Sequence, residues 1–204
     1  MIAVTLFARC SDRYEDIANL DSQGTTIICF GNSITAGYEV ASEEAFPALL
    51  GTKLRVPVIN AGVVGDTTTD ALDRIDRDVL AHDPRVVVVE FGGNDFIRRI
   101  DKEETFRNLD QLVGRITSHG AMVILLEIRI DILHYDHLAD FKRVAENHGA
   151  LLLRNFMSGI LGNPKLTLDW IHPNAEGHKL IAERMLKELV PLLEAAEKRR
   201  AEKQ

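Results

Sequence analysis

The chain has 204 residues, of which 46% are hydrophobic and 27% charged, and its net charge is −7 at pH 7. This profile predicts one soluble globular domain that is large enough to bury a core. The acidic balance excludes a nucleic-acid surface, because neutralising phosphates requires clustered Lys and Arg.

The first 24 residues are interpreted as an N-terminal extension. They open with MIAVTLFARC, a short apolar stretch without a basic leader or a good cleavage site. No apolar run approaches the roughly 20 residues of a membrane helix. We therefore expect a cytoplasmic protein, with an exported protein carrying a truncated signal as the alternative. Cys10 and Cys29 are too few for a disulfide framework, and Cys29 is expected to be a buried thiol.

Beyond the extension, apolar runs alternate with segments of helical period. The predicted strands are Thr25–Phe30, Val56–Ala61, Val86–Phe91, Met122–Ile128 and Leu151–Phe156. The predicted helices are Glu43–Leu54, Thr69–Ala81, Glu104–His119, Tyr135–His148 and Ala175–Ala195. Continuous apolar strands that alternate with helices predict a parallel sheet covered on both faces. The expected fold is a flavodoxin-like three-layer α/β/α sandwich with about five parallel strands over residues 25–195, followed by a charged tail at 196–204.

Polar residues stand where the predicted strands end, which is the edge at which open parallel sheets bind ligands. CFGNSITAG follows the first strand, NAGVVGDT the second and GGND the third, while DWIHPN precedes the last helix. The residues of interest in these loops are Ser33, Gly65, Asn94, Asp169 and His172.

These side chains suit acyl transfer. A serine hydroxyl attacks an ester when a neutral imidazole takes its proton, and a carboxylate on the other ring nitrogen fixes the tautomer. Asp169 and His172 are three positions apart and can meet across one turn of chain. The oxyanion needs preorganised donors, which the backbone N–H groups of Ser33 and Gly65 and the side chain of Asn94 can supply. Alone, Ser33 would instead be read as a helix cap or turn residue.

The segments GNSITAG, NAGVVGDTT, EFGGNDF and DWIHPNAEGH, in this order, resemble the sequence blocks of the SGNH (GDSL-type) hydrolase family. The likeness is to bacterial esterases of the lysophospholipase and arylesterase type, and it extends from about Thr25 to Leu193. It implies a flavodoxin-like fold and hydrolysis of small-molecule or lipid esters and thioesters through an acyl-enzyme, without a metal or another cofactor.

By position, the resemblance implies a role for each residue already named. Ser33 would be the nucleophile, with Asp169 and His172 as the acid and base. Ser33, Gly65 and Asn94 would donate to the oxyanion. We expect the substrate pocket to involve Asn32, Asp66, Thr67 and Trp170, although Trp170 is more readily read as a core residue.

This sequence departs from the family pattern in two places. Asn32 stands where the family usually has an aspartate, and we expect it to retune the turn or the pKa values of the site without abolishing activity. The stretch IRIDILHYDH, after the fourth strand, does not resemble the Pro- and Tyr-rich loop of the esterase branch.

Several other interpretations are open at this point. A carbohydrate O-deacetylase would use the same residues, a flavodoxin-like protein would cradle a flavin phosphate with SITAG, and a binding relative would not be catalytic. The cluster from His134 to His137, with Asp131, is read as a solvated loop and not a metal site. Asp95 is expected to cap the segment that follows it, and His178 to lie on a helix surface.

Overall fold

Five parallel strands form the sheet of the computed structural model, which describes residues 13–129 and 137–203. They are β1 (Thr26–Gly31), β2 (Val58–Gly62), β3 (Pro84–Glu90), β4 (Met122–Leu126) and β5 (Leu151–Leu153). Their order is β2-β1-β3-β4-β5, and each neighbouring pair is parallel. The strand order reverses at β1 and β3, which is where sheets of this kind bind ligands. The flavodoxin-like prediction is confirmed.

Helices connect the strands and cover the sheet. They are α1 (Ser33–Ala36), α2 (Phe46–Leu54), α3 (Thr68–Asp78), α4 (Gly93–Ile97), α5 (Lys102–Ser118), α6 (Leu138–His148) and α7 (Ala175–Ala201). The side chains of Thr67, Asp101 and Asn174 accept hydrogen bonds from the first turns of α3, α5 and α7 and so fix where these helices begin. Among the described helices, none combines the length and the apolar character that crossing a membrane requires.

The middle of the sheet is buried on both faces. All five residues of β4 are buried, as are all residues of β3 except Arg85. This double burial accounts for the continuous apolar runs from which the strands were predicted. Cys29 in β1 is buried as expected, and burial raises the pKa of its thiol well above the usual range.

The strand ends differ from their predicted positions by one to three residues. The largest difference is in β5, which ends at Leu153 although the apolar run continues to Phe156. Asn155 lies between them with a positive φ of 56°, a backbone conformation that cannot continue a strand. The chain therefore leaves the sheet early and carries Phe156 and Met157 to the edge where the strands end.

Both predicted terminal segments pack on the domain where they are described. Tyr14 is buried in the core, and the side-chain amide of Asn19 donates to the carbonyl oxygens of Thr117 and Ala121 at 2.7 and 3.0 Å. At the other end, α7 continues to Ala201 and buries Ala196. The charged tail is thus the last part of a helix. The boundaries at residues 24 and 195 stay predictions.

Candidate active site

The turn between β1 and α1 presents Ser33 at the edge of the sheet. Asn32, and not Ser33, caps α1: its Oδ1 accepts a hydrogen bond from the N–H of Ile34 at 3.0 Å. The Ser33 hydroxyl is therefore not used in capping, and its Oγ lies 3.0 Å from Nε2 of His172. The chain then turns at Gly37, whose φ of +80° permits the left-handed conformation.

The loop before α7 brings Asp169 against His172, as the three-residue spacing predicts. Oδ2 of Asp169 lies 2.7 Å from Nδ1 of His172, while Oδ1 accepts the backbone N–H groups of His172 and Ile171, each at 2.7 Å. Burial opposes ionisation of this carboxyl, but these hydrogen bonds outweigh it and lower the pKa of Asp169 to about 2. An ionised Asp169 requires Nδ1 to carry a hydrogen, which leaves Nε2 as an acceptor facing Ser33.

Tyr38 packs on the imidazole of His172. The two ring centroids are 4.6 Å apart and the ring planes are inclined by 42°. Sequence reasoning did not find Tyr38, because an aromatic residue five positions after Ser33 carries no signal of the distant ring that it touches.

The loops after β2 and β3 are joined to each other. Nδ2 of Asn94 donates to the carbonyl oxygen of Asp66 at 2.8 Å, and the Arg98 guanidinium donates to the carbonyl oxygen of Gly65 at 2.7 Å. Gly65 has a φ of +86°, which a residue with a side chain rarely adopts. Since an amide nitrogen has two hydrogens, the bond to Asp66 leaves one hydrogen of Asn94 for a ligand.

Asp95 strengthens this junction, in a role that differs from the predicted one. Its buried carboxylate accepts the N–H of Thr68 at 3.0 Å and the hydroxyl of Thr68 at 2.5 Å. Asp95 therefore caps α3 and not the segment after β3, because the two loops meet only in the folded chain.

Asp66 and Thr67 are not among the residues that line the pocket next to Ser33, contrary to the prediction. Asp66 pairs with the buried Arg74, whose Nε lies 2.6 Å from Oδ2. The same guanidinium donates to the carbonyl oxygens of Ala61 and Gly31, at 2.9 and 3.0 Å, and so joins the ends of β2 and β1. Thr67 caps α3, and its side chain accepts the N–H of Asp70.

The pocket has a polar end and an apolar wall. Ser33, Asn94 and His172 lie at the polar end, together with Asn32, the one predicted pocket residue that lines it. Among the described residues, the apolar side chains of the wall are those of Ile34, Ile97, Ile128, Phe156, Met157, Leu161 and Ile171. They come from α1, from α4, from the segments that follow β4 and β5 and from the loop before α7, so no single sequence block predicted the wall.

Trp170 does not pack in the core and is not among these lining residues. It is 72% exposed, and its ring rests against Gly162, which offers no side chain to cover it. The expectation of core packing is wrong.

Glu90, the last residue of β3, lies at the polar end of the pocket and was not singled out from the sequence. It is fully buried and accepts hydrogen bonds from Asn32 and Thr35. Burial raises its pKa, the hydrogen bonds lower it, and the net result is a pKa of about 7. The signal for Glu90 was present: it is the one charged residue in the apolar run VVVVEF.

Two histidines outside the site, His178 and His137, belong to further predictions. His178 is buried, not on a helix surface: its Nδ1 accepts the N–H of Phe46 at 3.3 Å, and burial lowers its pKa to about 4. His137 lies 3.5 Å from Asp140, whereas the rest of the predicted loop cluster lies outside the described residues. Across residues 13–129 and 137–203, no group of three side chains is arranged to hold a metal ion.

Comparisons with known proteins agree on one family. The sequence profile of the GDSL-like lipase/acylhydrolase family matches residues 29–180. The chain is 33% identical over 176 residues to thioesterase 1/protease 1/lysophospholipase L1 of Escherichia coli K12, covering 82% of this chain and 85% of that protein. It is 30% identical over 175 residues to the arylesterase of Vibrio mimicus, covering 80% and 88% of the two chains. The psychrotrophic esterase EstA of a Pseudoalteromonas species superposes with a TM-score of 0.74 at 28% identity, covering 83% of this chain and 99% of that one.

Proposed function

This chain belongs to the GDSL-like lipase/acylhydrolase family, and from that membership we propose that it is a serine esterase acting through an acyl-enzyme on Ser33. One observation carries the assignment of roles. Ser33, His172 and Asp169 form a continuous hydrogen-bonded series, with heavy-atom distances of 3.0 and 2.7 Å. The flavin-phosphate alternative has no use for this series.

In the first half of the reaction, Oγ of Ser33 attacks the carbonyl carbon of the ester while Nε2 of His172 takes the hydroxyl proton. The ionised Asp169 holds the ring through Nδ1 and stabilises the imidazolium that forms. Collapse of the tetrahedral intermediate breaks the bond to the leaving alkoxide or thiolate, and His172 returns the proton to it. Water then repeats the sequence on the acyl-enzyme and regenerates the free serine.

The negative charge on the attacked oxygen is proposed to be met by the N–H groups of Ser33 and Gly65 and by the second amide hydrogen of Asn94. Donors aimed at the developing oxyanion are worth most when they are already fixed. Here Asn94 is held by the carbonyl oxygen of Asp66, and Gly65 by the guanidinium of Arg98. The two loops therefore cost little to organise when the substrate reacts.

The apolar wall supports an acyl chain as the group bound beside Ser33. Its seven described side chains come from five parts of the chain, and an acetyl group would present only one methyl group to them. We therefore favour esters and thioesters of longer acyl chains over the carbohydrate O-deacetylase alternative. A two-domain esterase active on acetylated mannans is 22% identical to this chain, which indicates a shared fold only.

Labelling with a fluorophosphonate tests the nucleophile directly. We expect the probe to modify Ser33, as read by peptide mass spectrometry, and Ser33→Ala to abolish both labelling and hydrolysis of p-nitrophenyl butyrate while unfolding stays cooperative. Ser118→Ala, at the exposed end of α5, is the matched control and should label and turn over like the wild type. Near-normal turnover by Ser33→Ala would overturn the assignment.

A series of p-nitrophenyl esters from acetate to decanoate, measured beside acetylated sugars, tests the substrate class. We expect kcat/KM to rise beyond acetate because each added methylene buries apolar surface against the wall, worth up to about 0.8 kcal/mol. A maximum at acetate, together with deacetylation of the sugars, would favour the deacetylase instead.

A further inference from the structure

Glu90 lies directly beneath the turn that carries Ser33. Its Oε2 accepts the backbone N–H of Asn32 at 3.2 Å and the hydroxyl of Thr35 at 3.0 Å, and its Oε1 accepts Nδ2 of Asn32 at 3.0 Å. Residues 32 and 35 bracket the serine in sequence. One buried carboxylate on β3 therefore holds both sides of the turn, across a sequence separation of more than 50 residues.

The direction of these hydrogen bonds is determined by the cap of α1. Oδ1 of Asn32 accepts the N–H of Ile34, so its Nδ2 has to face Glu90. An amide N–H, a backbone N–H and a hydroxyl then all point at Glu90. The two N–H groups of Asn32 can only donate, and with the Thr35 hydroxyl they are matched by a carboxylate, which only accepts; a protonated carboxyl would have to turn its O–H to Thr35 and reverse that hydrogen bond.

We propose that Glu90 is a positioning residue for Ser33, and that Asn32 is the amide partner that allows Glu90 to act as a carboxylate. This inference rests on the proposed role of Ser33 as the nucleophile. The hydrogen bonds keep the Ser33 hydroxyl aligned with His172, and weakening any of them moves the nucleophile with respect to the imidazole. Displacements of this kind cost catalysis although the displaced support never touches the substrate.

The surroundings of Glu90 make this support dependent on pH. His172 and Arg129 line the same pocket, Arg74 approaches from α3 through the carbonyl oxygen of Gly31, and β1 and α1 contribute only uncharged groups. Burial raises the pKa of Glu90 to about 7 against the pull of its three donors. Below that pH the carboxyl is protonated and its hydrogen bonds to the turn lose the strength that the negative charge gives them. Activity should therefore fall as the pH drops through about 7.

An aspartate at position 32 would change this behaviour. Two carboxylates about 3 Å apart cannot both ionise at neutral pH, so the pair would keep one shared proton. In Asn32→Asp we expect turnover similar to that of the wild type near pH 6, no further rise through pH 7, and a loss at alkaline pH when the shared proton leaves.

The experiment exchanges the carboxylate at position 90 and the amide at position 32. Glu90→Gln puts an amide where three donors converge, and kcat should fall about 10- to 100-fold with KM changed less than about threefold. The double variant Asn32→Asp/Glu90→Gln restores one donor facing one carboxylate, with the direction reversed. We expect it to recover kcat to within about fivefold of the wild type, since donor and acceptor are matched again. Asp140→Asn, a carboxyl-to-amide change on α6, is the control and should leave kcat unchanged.

Each variant is measured for kcat and KM from pH 5 to pH 9, for thermal unfolding and for the rate of Ser33 labelling. Thr35→Val removes one donor without changing charge, and the acid limb should move to higher pH because the carboxylate loses support. The proposal for Glu90 and Asn32 is refuted if folded Glu90→Gln keeps kcat within twofold of the wild type, or if the double variant has no higher kcat than Glu90→Gln. It is also refuted if the pH profile of Asn32→Asp coincides with that of the wild type. Failure of Ser33 to label in the wild type would instead refute the proposed function itself.

Discussion

The two halves of the site are built in opposite ways. The nucleophile turn (residues 31–37) is held from a distance: Glu90 of β3 and Arg74 of α3 bind its backbone and side chains, and Asn32, Ser33 and Thr35 are buried. The base loop (residues 168–174) is held by its own sequence. Asp169 accepts N–H groups two and three residues further on, and Leu168 donates to the carbonyl oxygen of His172 at 2.9 Å.

Because of this difference, substitutions in the two halves should affect turnover and the free energy of unfolding differently. The side chain of Asp169 is 50% exposed, so a change there removes a charge without disturbing the core. The nucleophile turn has no such freedom, because its atoms are packed against the end of the sheet. We therefore expect substitutions of Asp169 and His172 in the base loop to lower turnover alone, and substitutions that disturb the packing of the nucleophile turn to lower turnover and the free energy of unfolding together.

Among the substitutions that test this comparison, Asp169→Asn is expected to have the largest effect. The new amide would still accept the two backbone N–H groups, but its nitrogen would face Nδ1 of His172 and favour the tautomer in which Nε2 cannot accept the Ser33 proton. We expect kcat to fall by about 10³- to 10⁴-fold, while the melting temperature stays within about 2 °C of the wild type. A large loss of thermal stability in this variant would refute the idea that the base loop contributes to activity without supporting the core.

Asn94→Ala tests a donor that lies between the two halves. Removing its amide eliminates one proposed oxyanion contact and the bond to the carbonyl oxygen of Asp66. We expect kcat to fall by about 10²- to 10³-fold, the usual effect of one lost oxyanion donor, with a smaller change in KM. A rise in KM with kcat unchanged would mean that Asn94 binds the substrate and the transition state equally, and would refute its role as an oxyanion donor.

Gly31→Ala tests the nucleophile turn, which packs against the end of the sheet. A Cβ at this position would lie 2.1 Å from Oγ1 of Thr35 and 2.8 Å from Oε2 of Glu90, so the turn would have to move. We expect a loss of about 1–3 kcal/mol in the free energy of unfolding, measured by urea denaturation, together with reduced turnover. The control Gly120→Ala lies at a positive φ but has open space around the added Cβ. It should lose stability through backbone strain and retain turnover.

Trp170→Ala is expected to have the smallest effect. The side chain is exposed and does not line the pocket, so kcat/KM for p-nitrophenyl butyrate should stay within about twofold of the wild type and stability within about 0.5 kcal/mol. Because Trp170 is the one tryptophan in the chain, the variant also removes the indole fluorescence of the base loop. A tenfold loss of activity would show that this loop depends on contacts beyond its local hydrogen bonds.

Local and periodic features were predictable from the sequence. The alternation of apolar strands with helices predicted the five-stranded parallel sheet, because strand burial and helical periodicity are written in consecutive residues. The Asp169–His172 pair was predictable for the same reason, since three residues of spacing nearly determine the geometry. The cap formed by Thr67 is a third case of a contact within one turn of chain.

Contacts between distant segments were decided only by the folded chain. Glu90 beneath Ser33, Arg74 joined to Asp66, and Asp95 capping α3 each link residues between 8 and 58 positions apart. The exposure of Trp170 and the composition of the apolar wall also depend on how distant segments pack together. The sequence shows that a polar residue in a strand-end loop needs a hydrogen-bond partner. It does not show which one, because many groups can serve the same donor or acceptor. The packing at the edge of the sheet decides which partner is in reach. Asn32 belongs to both groups: the sequence identified the departure from aspartate, and the tertiary structure supplied the buried carboxylate that the amide contacts.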